Sequence, residues 1–415
     1  MVTALSVVVL AGILVTTVTG AAVTDTTAGP NSLLDDADSE PTESDWLLTP
    51  DEPTSEGYEE VGIDVAGATA VSVQEETGEF ERAVYDEEFR SLGLLPEQST
   101  LTQDTSALIE QRLDRLDTHH GELLAAYGDD EFSPTVLFRE LNRLHVAAQN
   151  QQPLAELVRD NADATGLSLD DRTEDLPDNI DGELTFLQRP VGEELTALME
   201  GDEDPQLVYL HGSSDSVVFA MVEENTILRE ATLRSERDTG AQNQFEDPES
   251  DNAAIGNAFE RSQELYHWVS TIHRVQGYGT TATYVVESDH QYGDLIAYLD
   301  GGTTNAFHEL QEIDANEFPE SANTSTVDND TGITVSVRAT EPGGPLTVSA
   351  IDETEEPITG TVTISSDSGT NLADTEVGTT DGGELLTVQP VGAFTVTLTT
   401  PDDEEIRVSI PPDES

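Results

Sequence analysis

Six short apolar runs frame one stretch of this chain: LVYLH (207–211), SVVFAMV (216–222) and TILREATLR (226–234), then TATYVVE (281–287), DLIAYLD (294–300) and NAFHELQEI (305–313). Between them stand Gly212-Ser213-Ser214-Asp215, Glu223-Glu224-Asn225, the segment 289–293 and Asp300-Gly301-Gly302. Gly, Asn, Asp and Ser supply the positive-φ positions and local side-chain bonds that reversals need, so the runs predict antiparallel strands joined by tight turns. Between the two sets, Ile255, Phe259, Ser262, Tyr266, Val269 and Ile272 recur at helical spacing. They predict one amphipathic helix over 253–274 lying on the sheet, which makes residues 205–318 an α+β module.

Around this module the charge balance is extreme. Of 415 residues, 85 are acidic and 16 basic, giving a net charge of −69. All the basic residues are Arg; Lys is absent. Such a surface fits molar salt, where carboxylates hold water and their repulsion is screened over only about 3 Å at 1 M. Periodic strand and helix patterns through the middle argue against a wholly disordered acidic chain. No basic face exists to displace counterions from phosphates, so nucleic acid is excluded as a partner. With no cysteine, disulfides, thiolate zinc sites, thiol catalysis and a lipidated Cys are excluded too.

The chain begins with an apolar run, Val2 to Val18, followed by Thr19-Gly20-Ala21-Ala22. Residues 1–22 read as a secretory signal peptide or an N-terminal membrane anchor, although no Lys or Arg precedes the run. Residues 23–57 read as an acidic disordered spacer interrupted by Trp46-Leu47-Leu48. Val61 to Val73 carries strand-forming residues. Residues 58–204 otherwise read as mainly helical. Ile109, Leu113, Leu116, His120, Leu123 and Tyr127 form one helical seam. After Gly128-Asp129-Asp130, Ser133-Pro134 opens a second helix carrying Leu137, Leu141, Leu144 and Ala148, with Pro153 kinking or ending it. The two predict an antiparallel helical hairpin over 106–161, and Val191–Met199 predicts a further helix.

Residues 319–332 read as a linker with two N-glycosylation patterns, at Asn323 and Asn329. From 333 to 412, short strands alternate with Gly/Pro/Asp turns at even spacing, which predicts a small all-β sandwich. The fold class is therefore multi-domain: helical hairpin, α+β module, C-terminal β-sandwich.

Three resemblances add to this. Pro357-Ile358-Thr359-Gly360-Thr361-Val362, Thr379-Thr380-Asp381-Gly382-Gly383 and Gly392-Ala393-Phe394-Thr395-Val396 resemble the transthyretin-like, carboxypeptidase-regulatory-type sandwich, which implies an accessory, non-catalytic domain. Val391-Gly392-Ala393-Phe394 departs from that family's usual Pro-Gly-Tyr. Arg229-Glu230-Ala231, Leu265-Tyr266-His267-Trp268, and Gly293 to Gly302 followed by Phe307-His308-Glu309 resemble uncharacterised haloarchaeal exported proteins. The helix, TATYVVE and the hairpin GDLIAYLDGGTTNAFHEL (293–310) together resemble PepSY modules, which implies a small extracytoplasmic domain that binds or inhibits peptidases or modulates envelope proteins.

The residues with chemical potential have ordinary readings beside them. Glu264 and His267 have the Glu-x-x-His spacing of helical metal ligands, but no second such pair accompanies them. His120 falls on the helix seam beside His119, as a packed histidine does. His211-Gly212-Ser213-Ser214-Asp215 has the residues of a nucleophile turn without the strand-to-helix elbow such chemistry needs. Asp328, Asp330 and Gly332 are a calcium-loop fragment without its closing Glu. The sequence thus predicts no catalytic residue, no metal site and no cofactor. It predicts a non-enzymatic binding or structural protein, exported to the exterior or envelope of a halophile. The alternatives are a PepSY-like peptidase modulator and a carboxylate- or metal-dependent hydrolase. An envelope protein is the expected partner, with membrane association through the N-terminus. His267, Trp268, Tyr278 and Tyr292 are the candidate partner-binding face, since aromatic side chains anchor interfaces.

Overall fold

The computed structural model describes residues 47–50, 53–129, 131–169, 174–184, 190–246, 253–278, 281–314, 323–328, 332–366, 372, 374–380 and 382–412. The apolar N-terminal run, Trp46 and Asn329 lie outside them.

The predicted strands form one antiparallel sheet of eight. It consists of β1 (Ser55–Val61), β2 (Gln206–Gly212), β3 (Ser216–Glu223), β4 (Thr226–Leu233), β5 (Thr271–Tyr278), β6 (Thr283–His290), β7 (Gly293–Asp300) and β8 (Ala306–Asp314). Their order is β1-β2-β3-β4-β8-β7-β6-β5. Two meanders meet where β4 pairs with β8, with Ile227 opposite Ile313 and Ala231 opposite Glu309. The outer strands correct two expectations. Ser55–Gly57, expected in the spacer, belong to β1. The helix expected over 253–274 ends at Leu265, and the β-branched stretch after it becomes β5.

Helices cover one face of the sheet. These are α1 (Val65–Ser91), α2 (Leu95–Gly128), α3 (Pro134–Gln149), α4 (Gln151–Thr165), α5 (Leu176–Glu183) and α6 (Pro190–Glu200). The predicted hairpin is therefore part of a larger layer, in which α1 and α2 both pack on α3 and α4. Val65–Val73, expected as strand, is helical: Asp64 caps it by accepting from the Ala66 N–H at 3.1 Å, and Gly67, Val71, Gly78, Tyr85 and Phe89 form the buried stripe. A Cβ on Gly78 would lie 2.3 Å from Asn150 Oδ1, which is how closely α1 approaches the α3–α4 corner. The core here joins helices to sheet through Leu137, Phe138, Ile180, Leu210, Phe219 and Met221.

The other face carries two covers. α7 (Ala253–Leu265) packs over the β5–β8 half, burying Ala258 and Ser262. Ile255 and Phe259, expected in its inward stripe, are 47% and 38% exposed; Tyr266, just past the helix, is buried. Over the β1–β4 half lies the sandwich: β9 (Asn323–Asp328), β10 (Thr334–Ala339), β11 (Pro345–Ile351), β12 (Thr361–Ser366), β13 (Thr375–Thr379), β14 (Glu384–Val388), β15 (Phe394–Thr399) and β16 (Glu405–Ile410). Its sheets run β14-β11-β10-β9 and β13-β12-β15-β16. Asn323–Asp328, expected in the linker, pair with β10. The sandwich shares one core with the central sheet, in which Tyr58, Tyr209, Ala220, Ile227 and Ile313 join Val335, Val337, Leu346 and Val348. Among the described residues, no helix is long and apolar enough to cross a membrane.

Candidate functional site

The predicted aromatic face does not assemble as one patch. Trp268 is half-buried and packs edge-on against Tyr266 at 5.8 Å and against His290 at 5.0 Å; His290 in turn lies 6.0 Å from Tyr292. Trp268 and Tyr292 are thus brought together through His290, a residue outside the expected face. His267 is exposed. Tyr278 sits at the opposite end of β5, beside α5, where Gly182 leaves room for its Cβ. Glu264 and His267 do not share a helix face, because α7 stops between them, and Glu264 instead accepts from Arg261 at 3.0 Å. Asn323 lies in β9. Ser213 closes the β2–β3 turn, donating to Asp215 Oδ1 at 2.8 Å, so the HGSSD segment serves as a hairpin turn. His120 is buried, as its seam position predicts, with Nδ1 3.2 Å from Arg234 Nη1.

The most concentrated chemistry lies elsewhere, on the sheet face between α7 and the sandwich. Alternation along β4 and its pairing with β8 put Arg229, Glu309 and Gln311 on that face. Among the described residues Arg229 is the largest fully buried side chain, and its Nη1 stands 3.3 Å from Glu309 Oε1. Glu309 also accepts from Gln311 Nε2 at 2.8 Å, from the Tyr266 hydroxyl at 3.2 Å and from the Leu48 N–H at 3.0 Å. Arg229 Nη2 donates to the Leu48 carbonyl at 2.6 Å. Burial holds the Glu309 carboxyl above the ordinary carboxylate range despite the guanidinium beside it. Burial also lowers Arg229, which stays charged because an arginine starts so far above neutrality.

A second arm reaches the sandwich. The Tyr209 hydroxyl donates to Glu56 Oε1 at 2.7 Å, the Val391 N–H donates to the same oxygen at 2.5 Å, and the Tyr58 hydroxyl donates to the Val388 carbonyl at 2.5 Å. Burial, followed by the nearby Glu56 charge, raises both phenols well above their usual range, so they act as donors. His211 ends this arm, its Nδ1 3.3 Å from the Tyr209 oxygen. Burial first, then the Arg229 charge, pulls His211 down to about 3.

Two predictions arise here. A histidine held neutral by the fold stabilises it fully above the unfolded pKa of about 6.5. That contribution is lost as pH falls toward the folded value of about 3. At about 1.36 kcal/mol per pKa unit, the full loss is on the order of 5 kcal/mol. Denaturant titrations at fixed high salt, between pH 7 and pH 4, should show a steeper decline for the wild type than for His211→Gln; parallel declines would refute this role. The second concerns the sandwich turn. Gly343 has φ +78°, and a Cβ there would lie 3.1 Å from Arg229 Nε and 3.2 Å from Val218 Cγ1. Gly343→Ala should cost about 1–3 kcal/mol through strain and crowding, read as a fall in thermal midpoint.

Two cavities lie on the surface of the described residues, and Arg229, Glu309 and Glu56 line neither of the two. A groove of 390 Å³ between α1 and α4 is lined by Arg82, Asp86, Pro153, Glu156, Leu157 and Asp160. A 140 Å³ pocket between sheet and sandwich is lined by Tyr58, Gln206, Tyr209, Val222, Leu386 and Val388 among others. Among the described residues, no three His, Asp or Glu converge as a metal-binding group. Sequence reading passed over Arg229 and Glu309 as functional residues. The available signal was alternation: Arg229 falls on the same strand face as Ile227 and Ala231, and Glu309 on the same face as Ile313, where an unpaired charge is prohibitively costly.

Residues 1–204 match the family described as Domain of unknown function (DUF7096), and residues 208–319 match the Family of unknown function (DUF7094). The central match is to that family and not to PepSY. No curated protein and no solved structure matches the chain. The sandwich expected at the C-terminus is present, and residues 324–407 match the Archaeal fibronectin-III type-like domain where the sequence motifs had suggested a transthyretin-like one.

Proposed function

We propose that this protein is a non-enzymatic structural or interaction component of a halophile's envelope, exported through its apolar N-terminus. One observation carries the reading: ion pairs, the most buried of them Arg229 with Glu309, hold segments of the chain to one another. Arg229 and Glu309 tie Leu48 to the sheet, and Glu56 ties the sheet to the sandwich. On the helical side, Arg234 grips Asp117 through two bonds of 2.8 and 3.0 Å, and Arg237 donates to the carbonyls of Gly182 and Glu183 at the end of α5. Arg112 forms a bidentate pair with Glu81 between α1 and α2, both bonds 2.7 Å. A chain clamped at its joints, with a fibronectin-III-like domain and an excess of carboxylates, suits a scaffold better than a moving catalyst.

The absence of cysteine from the sequence provides a clean test. Ser72 is exposed on α1, so Ser72→Cys introduces a unique thiol. On intact cells in native salt, a membrane-impermeant maleimide should label it. Labelling only after lysis would overturn the export reading. Purified in molar salt, the same protein should turn over no peptide, ester or glycoside substrate; turnover abolished by chelation or by a single carboxylate substitution would replace a scaffold with a hydrolase.

A further inference from the structure

The contact at Leu48 has the form of peptide recognition. One residue is read at both backbone poles: its N–H donates to Glu309 Oε1 at 3.0 Å, and its carbonyl accepts from Arg229 Nη2 at 2.6 Å. The Thr49 hydroxyl lies 3.4 Å from the same Nη2. Both reading side chains are buried, at 1% and 0% exposure. Glu309 is oriented by groups remote from the segment, Gln311 on β8 and Tyr266 after α7, and in turn accepts from Arg229. The side chains of the segment find separate apolar seats. Leu47 enters the core shared with the sandwich, while Leu48 packs against Val218, Ala231 and Leu233. The turn Gly343-Gly344 leaves the space: a Cβ on Gly344 would stand 3.1 Å from Leu47 Cδ1.

Everything that receives this segment comes from far along the chain, with separations of 181 and 261 residues for the two backbone contacts. The segment matches its receiver in charge as well. Trp46 to Pro50 is an uncharged stretch flanked by Asp45 and Asp51-Glu52, and the receiver offers one cation and one anion. We propose that Arg229 and Glu309 form a backbone-reading site for an extended, uncharged Leu-Leu-Thr-type peptide. Leu47–Pro50 is its tethered occupant, and the site accepts the same segment supplied in trans once the tether is cut. This stands whether or not the protein is an envelope scaffold.

The test keeps the full chain. A protease site replaces Asp51-Glu52, and the purified protein is cut in molar KCl with its fold followed by circular dichroism. The probe is fluorophore-labelled Leu-Leu-Thr-Pro with both termini blocked, read by anisotropy. Saturable binding is expected to the cut chain and none to the uncut one. N-methylation of the second leucine removes the donor to Glu309 and should weaken binding about tenfold or more, as expected for losing a charge-assisted hydrogen bond. Glu309→Gln in the cut chain should weaken the parent peptide similarly. A flat titration, or binding indifferent to N-methylation, would make the segment an ordinary packed strap. Unfolding on cleavage would overturn the proposal equally, since a receptor must outlast the loss of its ligand.

Discussion

Arg229→Met should cost about 3–5 kcal/mol of folding free energy, because it strands the Glu309 carboxyl in an environment with no charge to answer it. The guanidinium is fully buried and Glu309 is 1% exposed, so water cannot take its place without opening the seam between α7 and the sandwich. Glu309→Leu alone should cost a similar amount for the converse reason. The double variant, Arg229→Met with Glu309→Leu, should be less destabilised than the two singles combined, since no unpaired charge remains. It still loses the anchors of Leu48, which sets a floor on its recovery. Guanidinium is a poor denaturant here because it is itself a salt; urea titrations at constant KCl give the comparison. Strict additivity of the singles would show that the two side chains act independently, against the geometry.

The sheet strands and the alternating sandwich strands were legible because period-2 burial writes itself into composition. Glu405–Ile410, for example, alternates exposed and buried without exception. Three features were not legible. α1 places Val at 65, 71 and 73, residues that favour strands, and only the N-cap at Asp64 and the close approach at Gly78 explain its helicity. β5 continues an apolar periodicity that a helix also satisfies as far as Ile272, and pairing with β6 decides the matter. β9 has a single large apolar residue, Val327, and is recruited by β10. These are tertiary choices overriding local preference. The candidate site was harder still. Leu48 and Glu309 stand 261 residues apart, and no local pattern announces a backbone contact over that separation. Trp268 and Tyr292 were found by residue type, but His290, which joins them, lacked any distinguishing neighbour in the sequence.

Dilution from molar KCl to about 0.1 M should unfold most of the protein at room temperature. The screening length grows from about 3 Å to about 10 Å over that range, so carboxylates on adjacent helices of a chain carrying −69 begin to repel across the surface. With folding free energies of only about 5–15 kcal/mol to oppose it, this repulsion is decisive. Circular dichroism and thermal midpoints measured against KCl should show a monotonic rise, and a midpoint unchanged between 0.1 and 3 M would refute salt adaptation. Sucrose at low salt separates screening from a general strengthening of apolar burial: it promotes burial without screening charge, and should restore little. The internal clamps provide the sharper discriminator. The coupling between Arg229 and Glu309, taken from the double-variant cycle, should stay nearly constant across the salt series because no ions reach the pair. Exposed pairs such as Arg407 and Glu405, 68% and 54% exposed, should show no coupling that survives molar salt. A chain whose only cations are arginines can then satisfy two demands at once, with carboxylates tuned to the solvent and guanidinium groups tuned to the joints.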